Sequence, residues 1–557
     1  MSQRRSPGTY RWRYRRLTCA LLTVSAAASL ALAAPSGSSE QGPRRPRVLL
    51  VGVYHGRRGQ FSSIQAAVDA ARPGDWILVA PGDYHEHADH RRGRWPQPRD
   101  TPAGVVIAKP DIHLRGMNRS SVIVDGTRGG RGGACSRQPG RQDFGPSGSY
   151  GKHLGRNGVL VWRADHVSVE NLTVCNFLAG DGYSGNQIWW DGGYGEIKRF
   201  GRIGLHGYHG AYLTATSTFF RSAATAAQYG LYTSRVSGGM WNYVYSSNFN
   251  DSDLYIGACL NVCDQTVDHA HAQYGALGYS GTDAGGRLVI ENSEFDHNSD
   301  GFDTNSDNSP TDKPSPQDGT CPGGGISPVS HTHWCWVFIH NYVHDNNNPN
   351  VPASVSGAGN SPVGTGVSFD GGRNDMVIDN RIVNNGAWGL ILTPFPDTES
   401  PPPKDNCRGG VYAGPPTNAC LYDDFGIAVA NNTFANNGWF KNDTNGDIAE
   451  ITETARPTNC YHGNTDRSGR LTTSPAGLQQ SKPSCTGRDA PPDPNPAFTN
   501  QILCDTQLVG TPCTPGSHYP RRTRVVMHPL PKNLPTMPNP CAGVPANPWC
   551  PARGSGG

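Results

Sequence analysis

The hydrophobic pattern of this chain predicts one early helix followed by many short strands. Between positions 61 and 71 apolar residues recur at helical spacing, and Pro73-Gly74 ends the pattern. Ser62 and Gln65 have the spacing of a capping box, which marks the start of that helix. Short apolar runs follow, each bounded by Gly, Pro, Asn or Asp as strands commonly are: 76–80, 105–108, 112–114 and 122–124.

From residue 158 onward the sequence carries a loose repeat, in which Phe or Val follows an Asn by three positions and Asn or His follows it by five. Copies begin at Asn171, Asn292, Asn380 and Asn431, and weaker copies centre on Phe249 and Val343. From Phe249 onward the apolar anchors lie 46, 48, 40 and 51 residues apart, so we interpret one visible motif as marking two turns. A recurring unit of this kind is typical of a solenoid, and short strands in each unit indicate a β-solenoid.

Residues 61–84, FSSIQAAVDAARPGDWILVAPGDY, resemble the N-terminal cap of right-handed parallel β-helix proteins of the pectin-lyase-like superfamily, of the secreted bacterial type. The Asn-rich repeats are similar to the β-helix repeat segments of the same group, so the resemblance covers residues 47 to 455. It implies an all-β fold: a right-handed parallel β-helix, or single-stranded solenoid, with an N-terminal capping helix and long loop insertions. The helix would cover the open strand edges of the first coil, which otherwise invite aggregation.

The chain divides into four expected regions: a signal peptide at 1–34, a linker at 35–46, the β-helix at 47–456 and an irregular segment at 457–557. Insertions that project as loops, often on the binding face, interrupt the coils at 127–157, 181–209, 304–334 and 393–424. The last region holds 18 of the 45 prolines and six cysteines. We expect it to pack on or after the last coils, and the alternative is a small independent domain.

Composition and charge exclude two classes of protein. Charged residues form 17% of the chain, against about 25% on average, and only 8 of the 48 basic residues are Lys, so a helical bundle or coiled coil is excluded. The 48 basic and 45 acidic residues leave a net charge of +3. This balance gives no basic footprint for nucleic acid, and no nucleic-acid partner is expected.

The N-terminus has the features of an export signal. Six Arg between positions 4 and 16 precede an apolar run from Leu17 to Ala34 that ends in small residues. A membrane anchor is the alternative, but the run is rich in Ala, Ser and Thr. Later segments lack the roughly 20 apolar residues of a membrane-spanning helix. We therefore expect a secreted, extracellular monomer with no transmembrane anchor after signal cleavage.

Cysteine usage agrees with export. Removing Cys19 with the signal leaves 14 cysteines, an even number that suits disulfides in an oxidising compartment. Zinc is the alternative, but it usually needs paired Cys-x-x-Cys or clustered Cys and His. Close spacing indicates local disulfide loops, with the connectivity left open, at Cys259 and Cys263, Cys321 and Cys335, Cys407 and Cys420, Cys504 and Cys513, and Cys541 and Cys550.

Residues 298–307, NSDGFDTNSD, are the stretch that points most directly to chemistry. If Phe302 points inward, strand alternation turns Asp303 outward, and the same phase turns Asp370 outward on a nearby coil. Outward carboxylates can act as an acid/base pair on a glycosidic bond. The candidate catalytic residues are therefore Asp300, Asp303 and Asp370, with His297 nearby. The alternative is a solvated, turn-rich acidic face.

The same strand offers oxygen ligands for a metal. Ca²⁺ takes six to eight oxygen ligands, and it is the one candidate cofactor. Its candidate ligands are Asp303, Asn305 and Asp307.

Two short stretches resemble catalytic elements of known families without completing them. Residues 298–301, NSDG, resemble the Asn-Thr-Asp-Gly element of polygalacturonase-type hydrolases, but the later Arg-Ile-Lys of that family is absent. Residues 161–166, VWRADH, resemble the Val-Trp-x-Asp-His element of pectate lyases but carry an extra residue, and no Arg-x-Pro-x-x-Arg accompanies them. Neither mechanism is transferable to this chain.

Aromatic residues and histidines supply further candidates. Trp189 and Trp190 lie in a Gly-rich stretch where exposed rings would stack on sugars, so both are candidate substrate-binding residues together with Asn305. The alternative is a loop folded over the solenoid with one Trp buried. Imidazoles on later coils would line up near one turn as general bases, or would join His, Asn and Asp in hydrogen-bonded ladders: His271, His297 and His344.

These features predict a secreted β-helix protein whose partner is extracellular polysaccharide. One hypothesis is a carbohydrate-active enzyme, a polysaccharide lyase or glycoside hydrolase, which the activities of similar folds favour. The other is a non-catalytic carbohydrate-binding or cell-envelope scaffold protein, which the lack of a complete catalytic motif favours. Because one fold hosts many activities, the sequence leaves open whether the protein is an enzyme.

Overall fold

The structure is a computed structural model that describes most of the chain. The described residues are 45–88, 101–148, 151–193, 204–259, 262–282, 284–305, 325–326, 334–353, 361–397, 420–424, 426–452, 459–485, 491–506 and 513–552. The expected signal peptide and nearly all of the linker lie outside them, as do Asp307, Cys321 and Cys407. Among the described residues, no helix combines the length and the apolar character needed to cross a membrane.

Each coil of the chain visits three parallel sheets in turn. Within the described residues these sheets have 12, 11 and 11 strands. Strands of successive coils pair in parallel and in register, so that Leu254, Tyr279 and Phe302 are neighbours on one sheet. Parallel pairing from coil to coil defines a parallel β-helix, and the predicted all-β fold class is confirmed.

Within each sheet the strands follow one another in chain order. The first sheet consists of Val48–Val51, Trp76–Val79, His113–Gly116, Val167–Glu170, Tyr208–Ala211, Gly239–Asn242, Gln265–Asp268, Leu288–Glu291, Trp336–Ile339, Met376–Ile378, Ala428–Ala430 and Cys460–His462. The second sheet consists of Gly82–Tyr84, Val122–Asp125, Thr173–Cys175, Thr214–Thr216, Tyr245–Ser247, His271–Gln273, Glu294–Asp296, Tyr342–His344, Arg381–Val383, Thr433–Ala435 and Thr465–Asp466. The third sheet consists of Ala103–Ile107, Asn157–Trp162, Ile188–Asp191, Tyr229–Ser234, Ser252–Gly257, Leu277–Thr282, Asp300–Asn305, Thr365–Asp370, Trp388–Thr393, Gly446–Glu450 and Thr473–Ser474.

Shorter elements lie outside the three sheets. The two-stranded pairs are Val53–Tyr54 with Arg57–Arg58, Leu205–His206 with Val236–Ser237, and Phe395–Asp397 with Cys420–Tyr422. The α-helices of the described residues are Ile64–Ala70, Leu478–Ser481 and Pro496–Thr506, and the 3-10 turns are Pro139–Arg141 and Ala223–Thr225.

The inward-facing side chains of the three sheets form one continuous core. Phe302, with no exposed surface, lies at its centre. Its ring centroid is 4.4 Å from that of Phe338, 4.8 Å from Tyr279 and 5.5 Å from Phe369. Because these partners come from neighbouring coils and from another sheet, the aromatic column ties several coils together.

Buried asparagines form two hydrogen-bonded ladders at the turns between sheets. Within each ladder a backbone N–H donates to the side-chain oxygen of the Asn one coil further on, at 2.9–3.2 Å. The residue before the ladder Asn often has left-handed φ, as at His340 (56°) and Asn384 (60°). The ladder interpretation is therefore confirmed, with members Asn341, Asn380, Asn432 and Asn464 in one ladder and Asn298, Asn346, Asn385 and Asn437 in the other.

The predicted capping helix is present as Ile64–Ala70, but its N-terminus is built differently from the expected capping box. The N-cap is Ser63, whose side chain accepts a hydrogen bond from the backbone N–H of Ala66. Glu86 accepts from the first helical N–H groups, 2.7 Å from Ile64 N and 3.1 Å from Gln65 N. The Gln65 side chain instead accepts from the backbone N–H of Val106 at 2.7 Å. A remote carboxylate thus replaces the local box.

Two expected boundaries are wrong. The stretch 181–209 is not one projecting loop, because Ile188–Asp191 pairs with strands on both sides as part of the third sheet. The β-helix does not end at residue 456, because Cys460–His462, Thr465–Asp466 and Thr473–Ser474 add a further strand to each sheet. Short strands without strong alternation carry too little pattern for sequence analysis to separate them from loops.

The residues after this last coil return along the β-helix instead of forming a separate domain. We call residues 513–552 the C-terminal strap. Tyr519 Oη accepts from Asn445 Nδ2 at 3.2 Å near the last coils, and the His528 ring stacks on Tyr274 at 3.5 Å between centroids. Trp549 packs with Leu50 and other residues of the first coils. Pro46–Gly557 accordingly form one compact unit.

Three disulfides join closely spaced cysteines, as the spacing indicated. Bonds connect Cys259 with Cys263, Cys504 with Cys513 and Cys541 with Cys550, and Cys335 is also disulfide-bonded. Two further bonds, Cys135–Cys175 and Cys460–Cys485, were not singled out by sequence because their separations are 40 and 25 residues. The side chain of Cys420 is outside the described part of the structure.

Candidate functional site

One row of outward-facing positions on the third sheet joins aromatic and polar side chains. In register from coil to coil it runs through Trp189, Tyr232, Tyr255, Ser280, Asp303 and Ser368. Adjacent strands lie about 4.8 Å apart, so Tyr255 and Asp303, two coils apart, are separated by about 10 Å along the axis. We call the outward set Tyr229, Tyr232, Tyr255, Asp303 and Asp370 the acid–aromatic face.

Asp303 and Asp370 lie on adjacent strands and share a hydrogen bond, and we call them the acid dyad. Asp370 also accepts from Ser368 Oγ at 2.8 Å and from Thr393 Oγ1 at 2.6 Å. Burial and the neighbouring Asp370 charge raise the pKa of Asp303 well above its ordinary value. Burial also raises the pKa of Asp370, but its hydroxyl donors oppose this effect. The two hydroxyl donors favour the ionised form of Asp370, so we assign the shared proton to Asp303 and the role of base to Asp370.

Asp300 lies on the same strand as Asp303 but has no exposed surface. Neither of its carboxyl oxygens makes a hydrogen bond of ordinary geometry among the described residues. Burial, followed by the charges of Asp303 and Asp370, raises the pKa of Asp300 well above its ordinary value. The prediction of Asp300 as a substrate-contacting catalytic residue is therefore wrong, because its carboxyl has no exposed surface at all, whereas Asp303 keeps 7% of its surface exposed.

Asp505 is a further acidic residue of this region that sequence reasoning missed. It lies near the end of helix Pro496–Thr506 and is buried, and its charge contributes to the raised pKa of Asp300. The helix packs Phe498 against Trp388 of the third sheet, at 5.2 Å between ring centroids. More than 200 residues separate Asp300 from Asp505 in the chain, so only the return of the C-terminal region brings them together.

We expect Asp300→Asn to increase stability at alkaline pH relative to the wild type. The folded-state pKa of Asp300 is raised above its unfolded value of about 3.9, so its ionisation destabilises the folded protein as pH rises. The free energy of unfolding is measured by equilibrium urea denaturation at about pH 5 and about pH 8. The difference between the variant and the wild type should rise by at least about 1 kcal/mol from the lower to the higher pH, since one pKa unit is worth about 1.4 kcal/mol. Asp181→Asn, at an exposed aspartate paired with Lys152, should show no such gain. An unchanged pH dependence in Asp300→Asn would contradict the assignment.

Three tyrosines, also missed by sequence reasoning, make the aromatic part of the face. Tyr232 lies 5.1 Å from Tyr255 and 4.6 Å from Tyr229 between ring centroids, and all three side chains are partly exposed. A signal for them existed, because Tyr232 and Tyr255 are 23 residues apart, which is also the separation of Ser280 and Asp303 on the same row. The step between them, from Tyr255 to Ser280, is 25 residues, so the coils need this two-residue adjustment before the tyrosines align with the acids.

The prediction of Trp189 and Trp190 as exposed sugar-binding rings is wrong. They are 2% and 0% exposed, because they belong to a strand and not to a loop. Trp190 points into the core beside Trp241. Trp189 stacks on Tyr232 at 5.0 Å and donates from Nε1 to Ser234 Oγ at 3.0 Å. Trp189 therefore supports the partly exposed Tyr232 from the neighbouring coil.

His297 is not brought together with the acid dyad. It occupies the turn between the second and third sheets with left-handed φ of 57°. Its Nδ1 bonds to Asp296 on the second sheet, and its ring lies 5.4 Å from Tyr274. The predicted catalytic set therefore divides between two faces of the β-helix.

The arrangement of the dyad fits a shared proton better than a calcium ion. Asp370 Oδ1 already accepts from two hydroxyls, whereas Ca²⁺ needs six to eight free oxygen ligands. Among the described residues, Asp303 and Asp370 belong to no group of three acidic, His or Cys ligand atoms lying within 4.8 Å of one another. Asn305 lies directly opposite Asp370, but Asp307 is outside the described residues, so calcium at Asp303, Asn305 and Asp307 stays a prediction.

The strand topology and this face define a class of protein: a three-sheet parallel β-helix whose third sheet carries an acid dyad next to a row of tyrosines. No protein-family model matches the sequence, and no curated protein matches it. Similar solved structures include the A-module of the mannuronan C-5 epimerase AlgE4 of Azotobacter vinelandii, with 12% identity over 73% of this chain and 91% of that one, at a TM-score of 0.40. An alginate lyase of Paenibacillus sp. has 11% identity over 78% of this chain and 98% of that one, at a TM-score of 0.35. Likeness at this level concerns the fold and carries no argument about activity.

Proposed function

We propose that this protein engages extracellular polysaccharide along the acid–aromatic face of its third sheet. The observation that carries the proposal is the linear order on one outer face, where partly exposed tyrosines lead within about 10 Å to a carboxyl pair. Aromatic rings offer flat apolar surfaces to sugar rings, and carboxyl groups hydrogen-bond sugar hydroxyls. A face that extends along successive coils suits an extended chain more than a small ligand.

We further propose that the acid dyad performs proton transfer of the lyase type. Two-carboxylate glycosidases hold their carboxyl groups about 5–9.5 Å apart, whereas Asp303 and Asp370 are in hydrogen-bond contact. Such a pair suits β-elimination instead. Asp370 removes the proton α to a uronate carboxyl, the C–O bond to the leaving sugar breaks as a C=C bond forms, and Asp303 protonates the leaving oxygen.

The second candidate is a non-catalytic carbohydrate-binding or envelope protein. Asp303 is only 7% exposed, which favours a structural role for the dyad beneath a binding surface. Under either function the five described disulfide bonds fit an oxidising, extracellular compartment.

The test begins with a panel of acidic and neutral polysaccharides, scored for binding and for release of unsaturated uronate products. Tyr232→Ala and Tyr255→Ala should each weaken binding about 3- to 10-fold, because one aromatic contact is worth about 0.5–1.5 kcal/mol. Tyr232→Phe should retain binding, since the stacking face is kept. Tyr243→Ala is the matched control, as this tyrosine is 37% exposed at the turn between the first and second sheets. Unchanged binding by both row variants would refute the proposed face.

A further inference from the structure

A second group of functional side chains lies on the outer face of the second sheet. Strands His271–Gln273, Glu294–Asp296 and Tyr342–His344 are neighbours there, with His271 paired to Glu294 and Asp296 paired to His344 in register. The middle residue of each strand points into the core, so the outer residues of all three face outward together. We call His271, Glu294, Asp296 and His344 the second-sheet cluster.

The four side chains form two pairs, each joining residues that lie diagonally opposite on adjacent strands. His271 Nε2 is 2.5 Å from Asp296 Oδ1, and His344 Nε2 is 3.0 Å from Glu294 Oε1. Each imidazole therefore reaches past the carboxylate directly opposite it to the one two positions along. One ligand atom each from His271, Glu294 and Asp296 lies within 4.8 Å of the other two. These three groups come from two neighbouring coils, and the contact of Glu294 with His344 joins the next coil to them.

A second layer of contacts fixes the orientation of these groups. His344 Nδ1 lies 2.7 Å from Asp345 Oδ2, so Nδ1 carries the donated hydrogen, and the ring turns Nε2 toward Glu294. The other oxygen of Asp296 accepts from His297 Nδ1. Metal-binding histidines are commonly oriented by a carboxylate that contacts their second ring nitrogen, and metal-binding carboxylates by a hydrogen-bond donor to their second oxygen.

When the neutral His344 ring carries its hydrogen on Nδ1, Nε2 presents its lone pair to a carboxylate oxygen 3.0 Å away. Two acceptors at this distance require a proton or a cation between them. A tetrahedral zinc site holds N and O ligands at about 2.0–2.2 Å from the ion. His271, Glu294 and Asp296 already hold one ligand atom each within 4.8 Å of the others, and His344 Nε2, 3.0 Å from Glu294 Oε1, is the adjacent candidate for the fourth ligand.

We propose that the second-sheet cluster binds one divalent transition-metal ion of the zinc class, with His271, Glu294, Asp296 and His344 as ligands. Asp296 and His344 are 5% and 12% exposed at the side chain and His271 and Glu294 are 33% and 43% exposed, so the site is anchored on one side and open to solvent on the other. The ion would connect three successive coils. Because it binds the folded chain and not the unfolded chain, it raises the stability of the protein. This site is independent of the acid–aromatic face and of the function proposed for it.

The experiment uses the full chain, stripped of metal by a chelator and then titrated with Zn²⁺ in a calorimeter and with Co²⁺ in a visible spectrometer. The wild type should bind one zinc ion that His271→Ala/His344→Ala no longer binds, and Co²⁺ should give the intense visible bands of four-coordinate geometry. Glu294→Gln should weaken zinc binding at least 10-fold. Asp345→Asn, behind His344, should weaken it about 10- to 100-fold.

His269→Ala is the matched control, because His269 Nδ1 makes the same kind of contact, 2.7 Å from Asp268 Oδ1, outside the cluster. It should leave zinc binding unchanged. Equal zinc binding by the wild type and the double variant, or no zinc binding by the wild type, would show that the cluster consists of ion pairs only. Circular dichroism of each variant separates loss of the ligands from loss of the fold.

Discussion

Asp303→Asn is expected to lower turnover of any polysaccharide that the protein cleaves by at least about 100-fold, with little change in its binding. The asparagine preserves the shape of the side chain and a hydrogen bond to Asp370, but its amide N–H is too weak an acid to protonate a leaving oxygen. Removing a general acid or base typically costs about 10²–10⁴-fold in rate. The measurement is the ultraviolet absorbance of unsaturated products, at saturating and at limiting substrate, on the polysaccharide found active in the panel.

The matched control for this variant is Asp181→Asn, an exposed aspartate paired with Lys152. It should retain full turnover. Asp303→Asn with more than half of the wild-type turnover would refute the catalytic dyad while leaving the binding face intact. Wild-type binding without turnover on every polysaccharide would instead establish the non-catalytic candidate.

Phe302→Ala is expected to destabilise the protein by about 3–5 kcal/mol. The ring has no exposed surface and contacts aromatic residues of neighbouring coils and of another sheet, so its removal leaves a cavity that several rigid strands must close. The midpoint and slope of urea denaturation, followed by far-ultraviolet circular dichroism, give the free energy of unfolding.

Tyr183→Ala is the control for the core variant, because its large side chain is 64% exposed and its loss should change stability by less than about 0.5 kcal/mol. A loss below about 1 kcal/mol in Phe302→Ala would show that the aromatic column does not tie the coils together.

The register of the repeat shows where sequence reasoning succeeds and where it fails. Phe249 and Phe295 are 46 residues apart and lie two coils apart on the second-sheet side, as the interpretation of two turns per motif required. Phe295 and Val343 are 48 residues apart, yet they are direct neighbours on adjacent strands. The 46 residues between Phe249 and Phe295 contain a whole extra coil, whereas the 48 residues between Phe295 and Val343 contain an insertion. Spacing alone does not distinguish the two cases.

The candidate site shows the same division. Alternation from the inward Phe302 places Asp303 outward, and the phase of Val367 and Phe369 places Asp370 on the same side. The same alternation places Asp300, two residues before Phe302, on the inward side, in agreement with its burial. The pattern does not give its neighbour Asp505, which the C-terminal region brings to it.

By itself the sequence determined the class of fold, the position of the capping helix and the outward direction of Asp303 and Asp370, because strand alternation and turn residues are local properties. Only the tertiary structure decided that Trp189 and Trp190 are buried, that His297 belongs to another face, and that Asp505 lies near Asp300. It also decided which histidines and carboxylates converge on the second sheet. These outcomes depend on the number of residues in each coil and on where the C-terminal region packs against the β-helix. Both are fixed by contacts between residues far apart in the chain.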